Sequence, residues 1–330
     1  MSTRAPVALA CGEYDRTEAL RTGVIVPEGA ELTYIALPPE EIFYRMLRHK
    51  EFDAAELSLS SYVMNLSRTG DFIAIPVFPS RTFRHNGIYV NAGAGIREPA
   101  DLAGRLVGTP EYQMTAAVWI RGTLAERHNL PVAAPRYRTG GLHQPGRVEK
   151  LPLPDHLGVG IEPIGPGQTL ADMLLDGEID ALYSARMPLP FAQADPRITR
   201  LFPDPRQVEE KYFADTGIFP IMHVVALRRD VYDARPWLAR SLYKAFEESR
   251  ALALRRIGET NALRYSLPWL YEEVERTRSV MGADFWPYGV AANDTTLRTL
   301  LRYSHEQGLT EELFTPERIF APETLDAYRV

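Results

Sequence analysis

The sequence predicts an α/β chain folded as two lobes with a ligand cleft between them, and three observations predict it. Short β-like runs alternate with amphipathic helical runs through the first 78 residues. After the Gly- and Ala-rich connection AGAGIREPADLAG the same alternation starts afresh, and a strongly β-like run near residues 218–227 returns late in the chain. Two βαβ units separated by a crossover and followed by a returning strand imply two chain crossings. They are expected near Asn91–Ile96 and Phe219–Val225, with 1–93 and 224–330 forming lobe 1 and 94–223 forming lobe 2.

Each element has its own warrant. Val7–Cys11 reads as a buried first strand and Leu32–Leu37 as the second. Pro39–His49 carries Ile42, Phe43, Met46 and Leu47 at helical spacing, and Phe52–Leu57 is again a strand. Ser60–Arg68 suits a helix with Ser60 or Ser61 as its N-cap, and Phe72–Phe78 a strand. Ile88–Val90 is β-like, then Leu106–Gly108 a short strand, Gln113–Arg127 a helix and Arg136–Thr139 a further element. Gly140–Gly167, rich in Pro and Gly and without periodicity, reads as a surface excursion. LADMLLDGEIDALYS is a helix, a Gly stop and a strand; Ile218–Leu227 is a strand, and Trp237–Arg256 and Trp269–Met281 are amphipathic helices.

Composition narrows the function classes. With 330 residues, 45% hydrophobic and 24% charged, the chain can build two cores and is not disordered. A net charge of -6 leaves no basic footprint for nucleic acid. The single cysteine, Cys11, supports neither a disulfide framework nor a cysteine-based zinc site and reads as a small core residue. The apolar run before Cys11 is shorter than the roughly 7–15 residues of a secretory segment. No run approaches the ~20 apolar residues of a membrane span. The expectation is a cytoplasmic protein with no membrane partner. The seven histidines show no close ligand pair, and GPGQT lacks the lysine of a phosphate loop.

DLAGRLVGTPEYQMTAAVW and LADMLLDGEIDALYS resemble the second lobe of type II periplasmic solute-binding proteins, which implies a ligand carboxylate held at a strand end and helix N-terminus. More specifically, ACGEYDRTEAL, EEIFYRMLRHKEFDAAELSLSSYVM, IPVFPSRTFRHNGIYVN, GTPEYQMTAAVWIRG, GIFPIMHVV, SLYKAFEE, DFWPYG and LFTPERIFAPETL together resemble the 4,5-dihydroxyphthalate decarboxylase family. The resemblance spans essentially the whole chain. It implies a bacterial enzyme of phthalate breakdown that acts on a small aromatic dicarboxylate, releases carbon dioxide and yields protocatechuate. A non-catalytic solute-binding protein for an aromatic carboxylate is the alternative. No cofactor is expected, an assisting divalent ion stays open, and so does a homo-oligomer.

Ligands of open α/β sheets sit at carboxyl ends of strands and at helix N-termini. That places the candidates in Glu13–Arg16, Ser58–Ser61, Pro79–His85, Thr109–Gln113, Ser184–Arg186 and Pro220–His223. Decarboxylation of a hydroxylated aromatic acid needs a base near a hydroxyl, an acid near the ring carbon and cations for the retained carboxylate. For proton transfer the candidates are His85, His223 and Glu111. His85 is equally a strand-entry histidine, His223 a structural one within FPIMHVV, and Glu111 a residue that favours a helix N-terminus. For substrate binding they are Arg16, Ser58, Ser60, Ser61, Arg81, Arg84, Tyr112, Ser184 and Arg186, the arginines because a guanidinium fork matches a carboxylate.

Overall fold

The structure is a computed structural model that describes residues 4–326. Its strands are β1 Ala5–Cys11, β2 Ala30–Ala36, β3 Ala54–Ser58, β4 Phe72–Ile75, β5 Ile88–Asn91, β6 Leu106–Thr109, β7 Arg136–Thr139, β8 Ile161–Pro163, β9 Ala181–Tyr183, β10 Ile198–Arg200 and β11 His223–Arg228. They form two sheets, one in each of two compact units. The first unit holds residues 4–81, 223–298 and 314–326, and the second holds 82–222 and 299–313.

The first unit is a five-stranded sheet in the order β2-β1-β3-β11-β4. β1 runs parallel to β2 and β3, while the late strand β11 is antiparallel to β3 and β4. The Pro39–His49 helix between β2 and β3 buries Ile42, Phe43, Met46 and Leu47, the stripe its spacing predicts, and ends where Lys50 turns left-handed at φ 51°. A second helix, Trp237–Ile257, buries Leu238, Leu242 and Phe246.

The second unit is a six-stranded sheet in the order β10-β5-β9-β6-β7-β8, with β5 antiparallel to both its neighbours. Leu170, Leu174, Ile179, Leu182, Tyr89 and Ile198 pack into its core. Thr169 accepts a hydrogen bond from the Asp172 N–H at the start of the Leu170–Asp176 helix, and Gly177 ends that helix at φ 76°, a left-handed turn that glycine enters without steric cost.

Several expectations need correction. Ser60 and Ser61 do not cap their helix. β3 runs straight into the helix Leu59–Arg68, so Ser58 holds the N-cap position and the other two serines lie buried inside the first turn. The run 218–227 becomes a strand only at His223, after Pro220, which has no N–H to donate. β4 likewise stops at Ile75, before Pro76. Gly140–Gly167 is not wholly a surface excursion, since it contributes β8 and the buried Lys150. The chain passes into the second unit at residue 82, before β5, and returns there over 299–313. No described helix is long and apolar enough to cross a membrane.

Candidate functional site

A single carboxylate organises the first unit. Glu56 lies in the middle of β3 with no solvent exposure. Its Oε1 accepts from the Tyr14 hydroxyl at 2.8 Å and lies 2.6 Å from His223 Nδ1. Its Oε2 accepts from the Gly12 N–H at 2.9 Å and from the Cys11 thiol at 3.4 Å. The parallel pairing of β1 and β3 brings the carboxyl end of β1 and the turn after it, Cys11–Tyr14, beside Glu56, and the antiparallel β11 sets His223 opposite Ser58. A Cβ at Gly12 would lie 2.7 Å from the Tyr14 ring, so a side chain there would have to displace that ring.

The charge states follow from these bonds. Burial pushes the Glu56 carboxyl up, but the hydrogen bond from His223 and the positive charge that ring carries when protonated, followed by the bonds from Gly12 and Tyr14, outweigh it and hold the group below the ordinary carboxylate range. Burial, and then the Glu56 charge, push the Tyr14 phenol and the Cys11 thiol upward, so both stay protonated donors. An ionised carboxylate only accepts, so His223 carries a hydrogen on Nδ1. In neutral imidazole Nε2 is then the bare, basic nitrogen. No described residue bonds to Nε2, the His223 side chain is 18% exposed, and Phe43 meets the ring edge-on at 4.8 Å. This is a buried carboxylate orienting a histidine whose other nitrogen faces outward, an arrangement able to take or give a proton.

Arg16 adjoins this group through Tyr14. Its guanidinium carbon lies 4.3 Å from the Tyr14 ring centroid and 4.2 Å from that of Trp286. Its Nε donates to the Pro79 carbonyl at 2.6 Å and its Nη1 to Asp15 at 3.0 Å.

The other candidates are placed differently. Arg81 is buried in the first unit, where its Nη1 donates to the Pro287 carbonyl and to Asn293 Oδ1. The Arg84 Nε donates to Met222 Sδ at 3.0 Å in the second unit. The run Arg81–His85 therefore carries the chain from one unit to the other, with its first arginine bonded within the first unit. His85 is buried against Phe202 and Tyr212, and burial, then His128, push it down to about 4. With Arg84, Trp119, Thr123 and Tyr212 it lines a small pocket within the second unit.

Glu111 does not serve the helix N-terminus. Its Oε1 accepts from Arg147 at 2.6 Å and from Lys150. The place beside the helix Thr115–His128 is taken by Glu149, which accepts from the Tyr112 N–H and from the Gln113 side chain at 3.0 Å. Burial, then the Glu111 charge, push Glu149 up to about 6. Tyr112 is buried under the Arg121 guanidinium at 3.7 Å. Ser184 accepts from the Arg186 N–H at 3.1 Å, and Arg186 is exposed. Among the described residues no group of three or more His, Cys, Asp and Glu is assembled to hold a metal ion.

Of the candidates, then, His223 bonds to Glu56, Arg16 stands beside the Tyr14 ring, and Ser58 lies opposite His223 on β3. Glu56, Trp286 and Glu149 were not foreseen, and Tyr14 was reached only as part of the Glu13–Arg16 segment. A charged residue inside AAELS was the available signal, because a glutamate in a buried strand requires partners.

No family model matches the chain. A 4,5-dihydroxyphthalate decarboxylase of Comamonas testosteroni is 38% identical over 329 residues, covering 99% of this chain and 100% of that one. A 4,5-dihydroxyphthalate decarboxylase of Pseudomonas putida is 40% identical over 208 residues, 63% of this chain and 81% of that one. The fold is that of periplasmic binding proteins. The periplasmic aliphatic sulphonate binding protein of Escherichia coli superposes with a TM-score of 0.54 at 11% identity, covering 98% of this chain and 99% of that one.

Proposed function

We propose a function from a fact of kinship: the chain belongs to the 4,5-dihydroxyphthalate decarboxylase family. It takes 4,5-dihydroxyphthalate, or a closely related hydroxylated aromatic diacid, removes one carboxylate as carbon dioxide and leaves protocatechuate. The observation that carries a mechanism is the His223 imidazole held by the buried Glu56, with Nε2 left to act.

In this reading Nε2 takes the proton of the substrate hydroxyl para to the departing carboxylate. The phenolate pair pushes into the ring, and the carbon bearing the carboxylate takes up a proton that originates from solvent. The bond from that carbon to the carboxylate then breaks. Its electron pair restores the aromatic ring, carbon dioxide leaves, and the imidazolium returns its proton to the phenolate oxygen. The net change consumes one proton and releases one carbon dioxide. Glu56 stabilises the imidazolium at the moment it forms, and Tyr14 and Gly12 keep that carboxylate in place. General acid–base help of this kind contributes roughly 10²–10⁴-fold, so positioning of the diacid supplies the remainder.

The test is direct. Purified, chelator-treated protein in deuterated water should convert 4,5-dihydroxyphthalate to protocatechuate bearing one deuterium at the vacated carbon. Phthalate, which lacks the electron-donating hydroxyls, should be left unchanged. Tight binding without carbon dioxide release would replace the enzyme reading with that of a receptor. Turnover lost on chelation and restored by a divalent ion would overturn the cofactor-free scheme.

A further inference from the structure

Arg16 has two aromatic rings against its guanidinium and yet is not fully bonded at its edge. The Tyr14 and Trp286 rings lie 4.3 and 4.2 Å from its guanidinium carbon. Nε and Nη1 are spent on Pro79 and Asp15, but Nη2 has no acceptor among the described residues, and the side chain is 17% exposed. Each bracket wall is itself tied down. The Tyr14 hydroxyl donates to Glu56, and the Trp286 indole N–H donates to the Phe78 carbonyl at 3.0 Å. A guanidinium ordered in this way has already lost its rotamer freedom, so an incoming anion meets a fork that is set before it arrives. One tyrosine ring separates that cation from the Glu56–His223 pair.

We propose that Tyr14 and Trp286 form an aromatic bracket that holds Arg16 as the receptor for a carboxylate of the ligand, with the free Nη2 as its donor. Trp286 is then a positioning residue that selects ligands carrying a carboxylate besides the group on which His223 acts. The proposal rests on the decarboxylase reading only for the identity of the reaction. A different role for the same geometry would be a staple joining the 12–16 loop to Trp286, and that role would make no distinction between ligands.

Calorimetric titration at pH 7 with protocatechuate and with catechol, which has the same hydroxyls but no carboxylate, separates the two. The wild type should bind protocatechuate at least about tenfold more tightly than catechol. Arg16→Gln should weaken protocatechuate binding about 10- to 100-fold and leave catechol alone, the expected loss for a charge-assisted bond. Trp286→Leu should show the same selective loss at about 3- to 10-fold, and Trp286→Phe, which keeps a ring face, should restore most of it. Turnover of the diacid by the same variants should show KM raised with kcat much less changed. Folding of each variant is checked by circular dichroism and melting; Arg16→Lys, which keeps charge but not the planar fork, serves if the glutamine variant fails to fold. Equal losses for both ligands, no discrimination by the wild type, or unaltered binding by a folded Trp286→Leu protein would each overturn the proposal. Selective carboxylate binding without turnover of 4,5-dihydroxyphthalate would sink the reaction while leaving the Arg16 receptor standing.

Discussion

Replacing Glu56 by glutamine tests the centre of the proposed chemistry. The carboxylate accepts on both oxygens, from Tyr14 and His223 on one and from Gly12 and Cys11 on the other. An amide has one accepting end only. If its NH₂ faces Gly12, two donors oppose each other at a buried site, at a cost of about 1–3 kcal/mol. If it faces His223, it donates to Nδ1, the imidazole hydrogen moves to Nε2, and the basic nitrogen that should face the substrate is lost. Either way the charge that stabilises the imidazolium disappears. Opposite charges about 4 Å apart at an effective dielectric constant near 20 attract by ~4 kcal/mol. The expected result is kcat lowered about 10²- to 10³-fold with KM changed by less than about threefold, the range in which proton-transfer groups act. Steady-state conversion of 4,5-dihydroxyphthalate, followed by chromatography of protocatechuate across pH 5–9, is the assay. Stability supplies a second readout. Because the folded-state value of Glu56 lies below the ordinary one, its contribution is fully present above the unfolded carboxylate value of about 4.3 and is lost as pH falls through the lower folded value. A folded Glu56→Gln protein with near-normal kcat and an unchanged pH profile would refute the reasoning.

Two further outcomes are expected. Gly12→Ala should push the Tyr14 ring, 2.7 Å from the new Cβ, away from Glu56, lowering kcat about tenfold in a protein whose melting temperature falls only modestly, and unchanged turnover would show that the ring yields freely. His85→Asn should spare kcat but alter acid stability: the folded value of about 4 lies below the unfolded value of about 6.5, so His85 costs the folded protein ~3 kcal/mol as pH falls from 6.5 through 4, a dependence that denaturant titrations should find missing in the variant.

The first sheet was largely legible because its hydrophobic period switches cleanly from strand to helix and back over residues 30–58, and the Pro39–His49 helix buries the four residues its spacing names. The helix Pro205–Thr216 was not legible. It buries only Tyr212, and a helix polar nearly all round has no period to read. The strands β8 and β10 are three residues each, too short for alternation to register. The helix Asp294–Glu306 carries Leu297, Leu300 and Leu301 at helical spacing, so its signal was present.

The site shows a different limit. The rule that ligands gather at the carboxyl ends of strands located Arg16, Ser58 and Arg81 alike, because it speaks of backbone and says nothing about which way a side chain turns. Arg81 turns to Pro287 and Asn293, more than two hundred residues onward in the chain, while Arg16 turns to the Tyr14 and Trp286 rings. The two histidines separate on the same ground. His223 and Glu56 stand 167 residues apart and are joined by an antiparallel pairing that no local pattern reveals, whereas His85 enters an apolar pocket with no partner for its Nδ1 among the described residues. A histidine held neutral by burial to about pH 4 is a poor proton carrier at neutral pH, whereas His223 has an ionised carboxylate on one nitrogen and no described partner on the other, the arrangement the proposed chemistry requires. Glu56 was therefore the residue on which the choice between them turned, and the sign of its importance was already in AAELS: a charge in the interior of a buried strand persists only where other parts of the chain have been brought to it.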